Sequence, residues 1–245
     1  MLNHWNNSPR KEGENDISWA WEHSLHPDFP EEYISGSVVF FGRKFHITPD
    51  VLIPRLETEV LIKRARKILN IHTPTTTIDI GSGSGIIGVS CADRSKRSIF
   101  LDISPKALVI AEENFYTHFP GKKWEFIVSD LLSALPTIEW NNILLLANLP
   151  YIKANDWGNM SNDTRFEPEL ALFGGEKTGF EIYERLFDQI DTHAFKEVQI
   201  VILLIEFGYD QREIAEAIII KYGWKYEFFA DYSGIERFCE VKIRP

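Results

Sequence analysis

The sequence predicts an α/β fold built on a mostly parallel, seven-stranded sheet that ends in an antiparallel hairpin. From about residue 75 onward, β-branched or apolar runs alternate with segments of helical periodicity, the pattern of β–α–β units. Two runs, ILLLAN and VILLIE, are almost continuously apolar, as expected of strands covered by helices on both faces. The last 25 residues contain two further strand-like runs around a turn.

The predicted elements follow one another in a regular order. A hairpin is expected around Gly42 and Arg43, and a helix from about residue 57 to 70. Five parallel strands are predicted in TTTIDI, RSIFLDIS, WEFIVSD, NNILLLANLPY and VQIVILLIEF. Ser104 as N-cap and Pro105 as first residue predict a helix after the second of these strands. Other helices are expected in GSGSGIIGVSCA, GFEIYERLFDQI and YDQREIAEAIIIKYG, and the closing strand pair in WKYEFFADYSGIERFCEVKI.

The chain is predicted to have three parts. Residues 1–35 form a short polar and aromatic segment in which ISWAWEHSL is compatible with a short helix. Residues 36–56 contain the hairpin and a linker with two prolines. Residues 57–245 form the main α/β domain. This division places all the alternating elements in a single domain.

Composition excludes several classes of protein. The hydrophobic fraction of 44% supports a packed core without covalent staples. Cys91 and Cys239 lack the spacing of a zinc site or a disulfide framework, so we expect no metal and a reducing, cytoplasmic location. The sequence contains no apolar run of about 18 residues, which predicts no membrane span. The net charge of −10 argues against free nucleic acid as a partner.

A cofactor site is predicted in the turn DIGSGSG, which follows the first parallel strand and opens a helix. Glycines let such a turn bend sharply and let a ligand approach the backbone closely. In open α/β sheets, ligands bind beyond the carboxyl ends of the strands, where this turn is expected. The predicted cofactor-binding residues of the turn are Asp79, Gly81, Ser82, Gly83, Ser84 and Gly85.

Acidic residues follow the next two predicted strands. Asp102 ends the second strand, where a carboxylate can accept both hydroxyls of a ribose. Asp130 ends the third, where a polar group can reach an adenine amino group, and Leu131 can cover the face of the ring. NAD and S-adenosylmethionine both satisfy this arrangement, so these residues leave the choice of cofactor open.

The fourth strand ends in Asn148-Leu149-Pro150-Tyr151, the predicted catalytic and substrate-binding residues. An amide or aniline-like nitrogen is a weak nucleophile because its lone pair is delocalised. The Asn148 oxygen and the Leu149 carbonyl can accept its two N–H bonds, and Tyr151 can pack on its flat face. Asn148 is also expected to border the cofactor. The tetrapeptide resembles the Asp/Asn-Pro-Pro-aromatic motif of amino-group methyltransferases, which implies S-adenosylmethionine.

Segments outside this motif resemble the release factor glutamine methyltransferases (the HemK/PrmC-like family). FFGRKFHITPDVLIPRLETEVLI is similar to the family's F-G-x-x-F hairpin and V-L-I-P-R-x-D/E-T-E stretch. Later similarities lie in RFEPELALFGGEKTGFEIYERLF, LLIEFGYDQREIAEAI and DYSGIERF. The resemblance covers residues 36 to 240, nearly the whole chain, although the segment before the hairpin is shorter than the family's helical domain.

This resemblance implies a Rossmann-like class I methyltransferase fold with S-adenosylmethionine as cofactor. It implies methyl transfer to a glutamine side-chain nitrogen in the Gly-Gly-Gln loop of a peptide chain release factor. It also implies that Arg55 belongs to the substrate-binding residues.

Two other functions remain open. NLPY is also the form typical of rRNA adenine dimethyltransferases, so an adenine N6-methyltransferase acting on rRNA or DNA is the second hypothesis. A non-catalytic binding module of the same fold is the third. Leu149 stands where the motif usually has proline. Because only its carbonyl is needed, we expect Leu149→Pro to keep activity and to stabilise slightly if the Leu149 N–H is free.

Overall fold

A computed structural model of the protein describes residues 25–73, 75–136, 142–192, 195 and 198–244. The predicted short helix in ISWAWEHSL lies outside these residues, except for its last position. The strands are β1 (Ser37–Phe40), β2 (Arg43–His46), β3 (Thr75–Ile80), β4 (Arg97–Asp102), β5 (Glu125–Val128), β6 (Asn142–Asn148), β7 (Ile152–Lys153), β8 (Phe173–Gly175), β9 (Val201–Glu206), β10 (Lys225–Ala230) and β11 (Glu236–Arg244).

Helices separate most of the strands of the main sheet. They are α1 (Glu31–Ser35), α2 (Thr58–Ile71), α3 (Ile86–Cys91), α4 (Pro105–His118), α5 (Glu181–Thr192) and α6 (Arg212–Ile219). The Ser104 hydroxyl caps α4 as predicted, because it accepts a hydrogen bond from the Ala107 N–H at 3.3 Å. None of the helices within the described residues has the length and apolar character needed to cross a bilayer.

The main sheet has seven strands in the order β10-β11-β9-β6-β3-β4-β5. The five strands from β9 to β5 are parallel, and β11 runs antiparallel to both β9 and β10. This confirms the predicted α/β fold with its antiparallel C-terminal hairpin. The chain proceeds from β3 outward to β4 and β5, then returns to β6 on the other side of β3. The sheet therefore has its topological switch point at β3 and β6, where open α/β sheets bind ligands.

Two local predictions differ from the structure by one or two residues. The first hairpin turns at Phe41 and Gly42, one residue earlier than expected. Both have positive φ, 47° and 73°, as the tight turn of a two-residue hairpin requires. In addition, β5 ends at Val128, so Asp130 lies in the loop after the strand rather than at its last position.

Apolar side chains cover both faces of the sheet. Helices α2, α3 and α4 pack on one face, and α5 and α6 pack on the other. A smaller cluster joins the region before α2 to α4. Its members are Phe29, Tyr33, Ile47, Val51, Ile53, Ala107 and Ile110. This packing fixes the segment after the hairpin beside the carboxyl ends of the central strands.

Candidate active site

The glycine-rich turn lies between β3 and α3 and is braced by β4. The Ser82 N–H donates to the Leu101 carbonyl at 3.0 Å. The Gly83 N–H donates to Asp102 Oδ2 at 2.8 Å, and Asp102 Oδ1 accepts from the Ser104 N–H at 2.8 Å. One carboxylate thus holds both the turn and the start of α4. Burial raises the pKa of Asp102, although these backbone donors oppose the rise.

A cavity of about 310 Å³ opens between this turn and the segment before α2. Most of the predicted cofactor-binding residues line it: Gly81, Ser82, Gly83, Ser84, Asp102, Asp130, Leu131 and Asn148. The opposite wall is formed by Asp50, Val51, Leu52, Pro54, Arg55, Thr58, Pro168, Leu170 and Ala171. The carboxyl ends of β3, β4 and β6 therefore meet at one cavity, as the sheet topology predicts.

Asp79 and Gly85 differ from their predicted role, because neither lines this cavity. Asp79 is buried behind the turn, where its Oδ2 accepts from the Gly88 N–H at 2.7 Å. Burial raises the pKa of Asp79 to about 7. Gly85 faces α4, where an added Cβ would lie 3.0 Å from the Ala111 Cβ. Both residues shape the turn from behind.

The far end of the cavity combines a charged and an apolar side chain. The Asp130 carboxylate forms an ion pair with Arg185 of α5. Leu131 is 7% exposed and has a φ of 55°, a strained value for a residue with a branched side chain. The fold therefore holds Leu131 against the cavity at a cost in backbone energy.

The cavity fits a nucleoside cofactor. Its turn has backbone without Cβ atoms at Gly81 and Gly83, and Asp102 offers carboxylate oxygens for ribose hydroxyls. The buried Ser82 hydroxyl has no hydrogen-bond partner among the described residues, which leaves it free for a polar ligand. Across the described residues, no group of three or more His, Cys, Asp and Glu side chains is arranged to hold a metal ion.

Asn148 ends β6 and lies beside Glu206, the last residue of β9, in the parallel register. Its Nδ2 donates to Thr58 Oγ1 at 3.3 Å, and the Thr58 hydroxyl donates to Glu206 Oε2 at 2.8 Å. The Asn148 side chain also favours the charged form of the Glu206 carboxylate and so lowers its pKa. Since these partners engage the amide nitrogen, the amide oxygen is left to accept from another group.

Leu149 packs under the glycine-rich turn. Its side chain is 3% exposed, and a Cβ added to Gly81 would lie 2.7 Å from Leu149 Cδ2. Gly81 also has a φ of 66°, so this position requires glycine both for conformation and for space. The Leu149 N–H donates to the Tyr183 hydroxyl at 2.9 Å. The N–H is therefore not free, so the condition under which Leu149→Pro would stabilise the protein is not met.

We instead expect Leu149→Pro to destabilise the protein by roughly 2–4 kcal/mol, from one lost buried hydrogen bond and lost packing. Urea unfolding followed by circular dichroism measures this difference. Leu149→Met is the matched control, because it keeps the N–H and nearly the same volume and should cost less than about 1.5 kcal/mol. A proline variant as stable as the wild type would show that the contacts of Leu149 contribute little.

A second cavity of about 340 Å³ lies on the outer side of Asn148. The two cavities share Leu52, Arg55, Asn148, Leu149 and Ala171 as lining residues. The outer cavity is further lined by Tyr151, Ile152, Lys153, Asp156, Asn159, Met160, Thr164, Leu172, Gly208, Tyr209, Asp210 and Gln211. Asn148 thus lies where two neighbouring spaces meet, as a group that contacts two reactants must.

Tyr151 lines only the outer cavity, and its backbone is held tightly. Its carbonyl accepts from Gln211 Nε2 at 2.8 Å. Behind it, a Cβ at Gly174 would lie 2.4 Å from the Pro150 carbonyl oxygen, so β8 can approach only with glycine there. Burial raises the pKa of Tyr151 to about 12, and the charge of Glu206 adds to this, so the phenol stays protonated.

A partly buried ion pair closes the wall that the two cavities share. Arg55 Nη2 donates to Glu167 Oε1 at 2.7 Å, and the Ile53 N–H donates to Glu167 Oε2 at 3.4 Å. Burial raises the pKa of Glu167 to about 7, while Arg55 opposes the rise. Arg55 therefore fixes the linker against the segment before β8, and it is also a lining residue of both cavities.

Several residues of the site were not assigned to it from the sequence: Thr58, Glu167, Tyr183 and Glu206. All four lie in segments that carry the family resemblance, but the resemblance assigned none of them a role. Glu206 carried a usable signal, since it is an acid at the end of a buried strand like Asp102. Tyr183 is fully buried in α5 and carried no signal of its own.

The chain is similar to known methyltransferases. Residues 37–159 match the family described as "Methyltransferase small domain". The chain is 33% identical over 229 residues to the release factor glutamine methyltransferase of Mycoplasma mycoides subsp. mycoides SC, covering 89% of this chain and 78% of the relative. The relative from Koribacter versatilis is 35% identical, and the similarity covers 85% of this chain and 72% of the relative.

Solved structures share the fold at low sequence identity. The hMettl16 catalytic domain in complex with MAT2A 3'UTR hairpin 6 has a TM-score of 0.61 and 12% identity, with 99% of this chain and 97% of that chain covered. At these identities the likeness shows a common architecture and leaves the substrate to be argued from the site.

Proposed function

Because the chain belongs to the release factor glutamine methyltransferase family, we propose that it methylates the side-chain nitrogen of a glutamine in the Gly-Gly-Gln loop of a peptide chain release factor. It is a methyltransferase that uses S-adenosylmethionine. The observation that carries the proposal is the position of Asn148 between two cavities, one suited to a nucleoside and one open to a side chain.

S-adenosylmethionine, when bound, supplies a methyl group on a sulfonium sulfur, and this sulfur keeps the electron pair of the broken carbon–sulfur bond. The glutamine nitrogen gains the methyl carbon and later releases one proton to solvent. Since the methylated nitrogen is acidic, the protein needs no strong base. The task of the site is to orient a weak nucleophile and to stabilise its developing positive charge.

The motif residues can divide this task. Asn148 Oδ1 and the Leu149 carbonyl oxygen accept the two N–H bonds of the glutamine amide, which fixes the direction of the nitrogen. Pro150 lines the first cavity and Tyr151 the second, so they bracket the point of transfer. Arg55 borders both spaces and adds a positive charge that can bind a backbone carbonyl of the substrate loop.

The lining of the outer cavity supports a peptide rather than a nucleic acid. Its two cations are each paired with an acid, Arg55 with Glu167 and Lys153 with Asp210 at 3.8 Å. Asp156 adds a negative charge. Nucleic acid would require a surplus of positive charge to neutralise phosphates. The remaining lining is largely apolar, which suits a glycine-rich peptide loop.

The proposal is tested by incubating the protein with labelled S-adenosylmethionine and a purified release factor, followed by mass mapping. We expect a single methyl group on the glutamine of the Gly-Gly-Gln loop. The matched control is the release factor with that glutamine replaced by glutamate, which has no nitrogen to methylate. Ribosomal RNA and DNA are assayed in parallel, and transfer to RNA alone would replace this proposal with the adenine methyltransferase.

The substrate also suggests where the protein acts. Release factors work at the ribosome, and both cysteines are free and buried, so we propose that the protein acts in the cytoplasm. We also propose that residues 57–245 form the catalytic domain, and that residues 36–56 and the preceding 35 residues serve as its linker and its N-terminal segment.

A further inference from the structure

The amide of Asn148 is held by a network that joins three elements of the fold. Glu206 comes from β9, Thr58 is the first residue of α2, and Asn148 ends β6. Glu206 is 1% exposed and Thr58 is 2% exposed, so water does not replace these contacts. The methyl transfer described above assigns no task to Glu206 or Thr58.

The direction of the hydrogen bonds in this network depends on the charge of Glu206. A carboxylate can only accept, so the Thr58 proton points to Glu206 and Thr58 Oγ1 must accept from the Asn148 nitrogen. A protonated Glu206 can donate to Thr58 instead. The Thr58 proton is then free to point at Asn148, which favours the amide with its oxygen turned inward, away from the substrate.

Charged and titratable groups surround Glu206 from each neighbouring element. The Arg237 guanidinium from β11 favours the carboxylate form, and Glu57 before α2 opposes it. Tyr151 and Tyr183 are also close enough for the charge of Glu206 to raise their pKa values. Arg237 is itself paired with Asp231 at 2.7 Å, so its charge is partly shared. Burial is the largest influence and raises the pKa of Glu206 to about 7.

We propose that Thr58 and Glu206 are positioning residues that hold the Asn148 amide with its oxygen toward the substrate, and that this hold requires the carboxylate form of Glu206. The inference rests on the proposed function, because that function assigns the Asn148 oxygen to the substrate nitrogen. It adds a condition to the reaction. The rate of methyl transfer should depend on whether Glu206, a group of the protein and not of either reactant, is protonated.

The first test compares Thr58→Val with Thr58→Ser. Valine keeps the shape of threonine and removes the hydroxyl, whereas serine keeps the hydroxyl. We expect single-turnover transfer at pH 8 to fall by about 10- to 100-fold in Thr58→Val and to be largely restored in Thr58→Ser. Because Thr58 also lines the cofactor cavity, the rates are compared at saturating S-adenosylmethionine, with its affinity measured by calorimetry for each protein. Equal rates in the two variants would overturn the proposal.

The second test uses pH. In wild-type protein we expect the single-turnover rate at saturating cofactor to rise with pH through about pH 7 and to level off above it. Glu206→Gln should be slower at pH 8 and should lack this rise. The matched control is Glu240→Gln, which removes another buried glutamate that pairs with Arg64, remote from both cavities. It should keep the wild-type profile. A rise that persists in Glu206→Gln would contradict the role of Glu206.

Stability gives a readout that needs no substrate. The folded pKa of Glu206 is about 7, above its ordinary value of 4.5, so the folded state binds more protons between these values. The contribution of Glu206 to the free energy of unfolding is therefore greatest at low pH and declines as the pH rises to about 7. The melting temperature of Glu206→Gln relative to that of wild type should therefore increase as the pH is raised from 5 to 8. A slower but more stable variant excludes unfolding as the cause of lost activity.

The side-chain amide of Asn148 can be observed directly by nitrogen-15 NMR, with its signal identified by its absence in Asn148→Ala. We expect this signal to titrate near pH 7 in wild type and to stay constant in Glu206→Gln. If the amide titrates but no release factor is methylated, the proposed function fails and the network stands. If the release factor is methylated and the amide does not titrate, the positioning proposal fails.

Discussion

We expect Asn148→Ala to lower methyl transfer by at least about a hundredfold while leaving affinity for S-adenosylmethionine within a few-fold of wild type. The expected loss follows from the geometry, since Asn148 is the polar side chain shared by the two cavities besides Arg55. Removal of its oxygen leaves the substrate nitrogen without one of two acceptors. Single-turnover rates at saturating cofactor and calorimetric affinities should be measured on the same preparation.

Asn142→Ala is the matched control, because Asn142 begins the same strand at the end opposite to the site. It should keep both the rate and the affinity. Asn148→Ala also leaves Thr58 Oγ1 without its donor, so melting temperatures should accompany the kinetics. If cofactor affinity collapses while the rate at saturating cofactor is normal, Asn148 serves the cofactor and its role in orienting glutamine is wrong.

The second large effect is expected for Asp102→Ala, which should weaken binding of S-adenosylmethionine at least about tenfold, or 1.4 kcal/mol. Two causes combine in this loss. The carboxylate lines the cavity, where it can accept the ribose hydroxyls. It also holds the Gly83 and Ser104 N–H groups, so its removal loosens the turn that faces the cofactor.

A cofactor analogue without ribose hydroxyls separates these two causes. In wild-type protein the analogue should bind more weakly than S-adenosylmethionine. In Asp102→Ala the analogue and S-adenosylmethionine should bind with similar affinity, because the contact between Asp102 and the ribose hydroxyls is already lost. Asp93→Ala removes an acid paired with Arg66 away from the cavity and should bind both ligands like wild type. If Asp102→Ala still binds S-adenosylmethionine more tightly than the analogue, Asp102 does not contact the ribose hydroxyls.

Much of the architecture could be predicted from the sequence because its signals are local. Alternation of apolar runs with helical periodicity predicted the order of strands and helices. Ser104 and Pro105 predicted where α4 begins, since capping depends on neighbouring residues. Residues that follow buried strands converge on one edge of a parallel sheet. For this reason Gly81, Asp102 and Asn148 could be placed together before the structure was known.

Contacts between distant segments depended on the tertiary structure. Thr58 and Glu206 are 148 residues apart in sequence, and Arg55 and Glu167 are 112 residues apart. Only the parallel register of β6 and β9 places Glu206 beside Asn148, and only the packing of α2 brings Thr58 to both. Likewise, the sequence could not show that the Leu149 N–H donates to Tyr183, a residue of α5. Local residue types therefore determined which groups carry the chemistry, whereas long-range packing decided how those groups are oriented and charged.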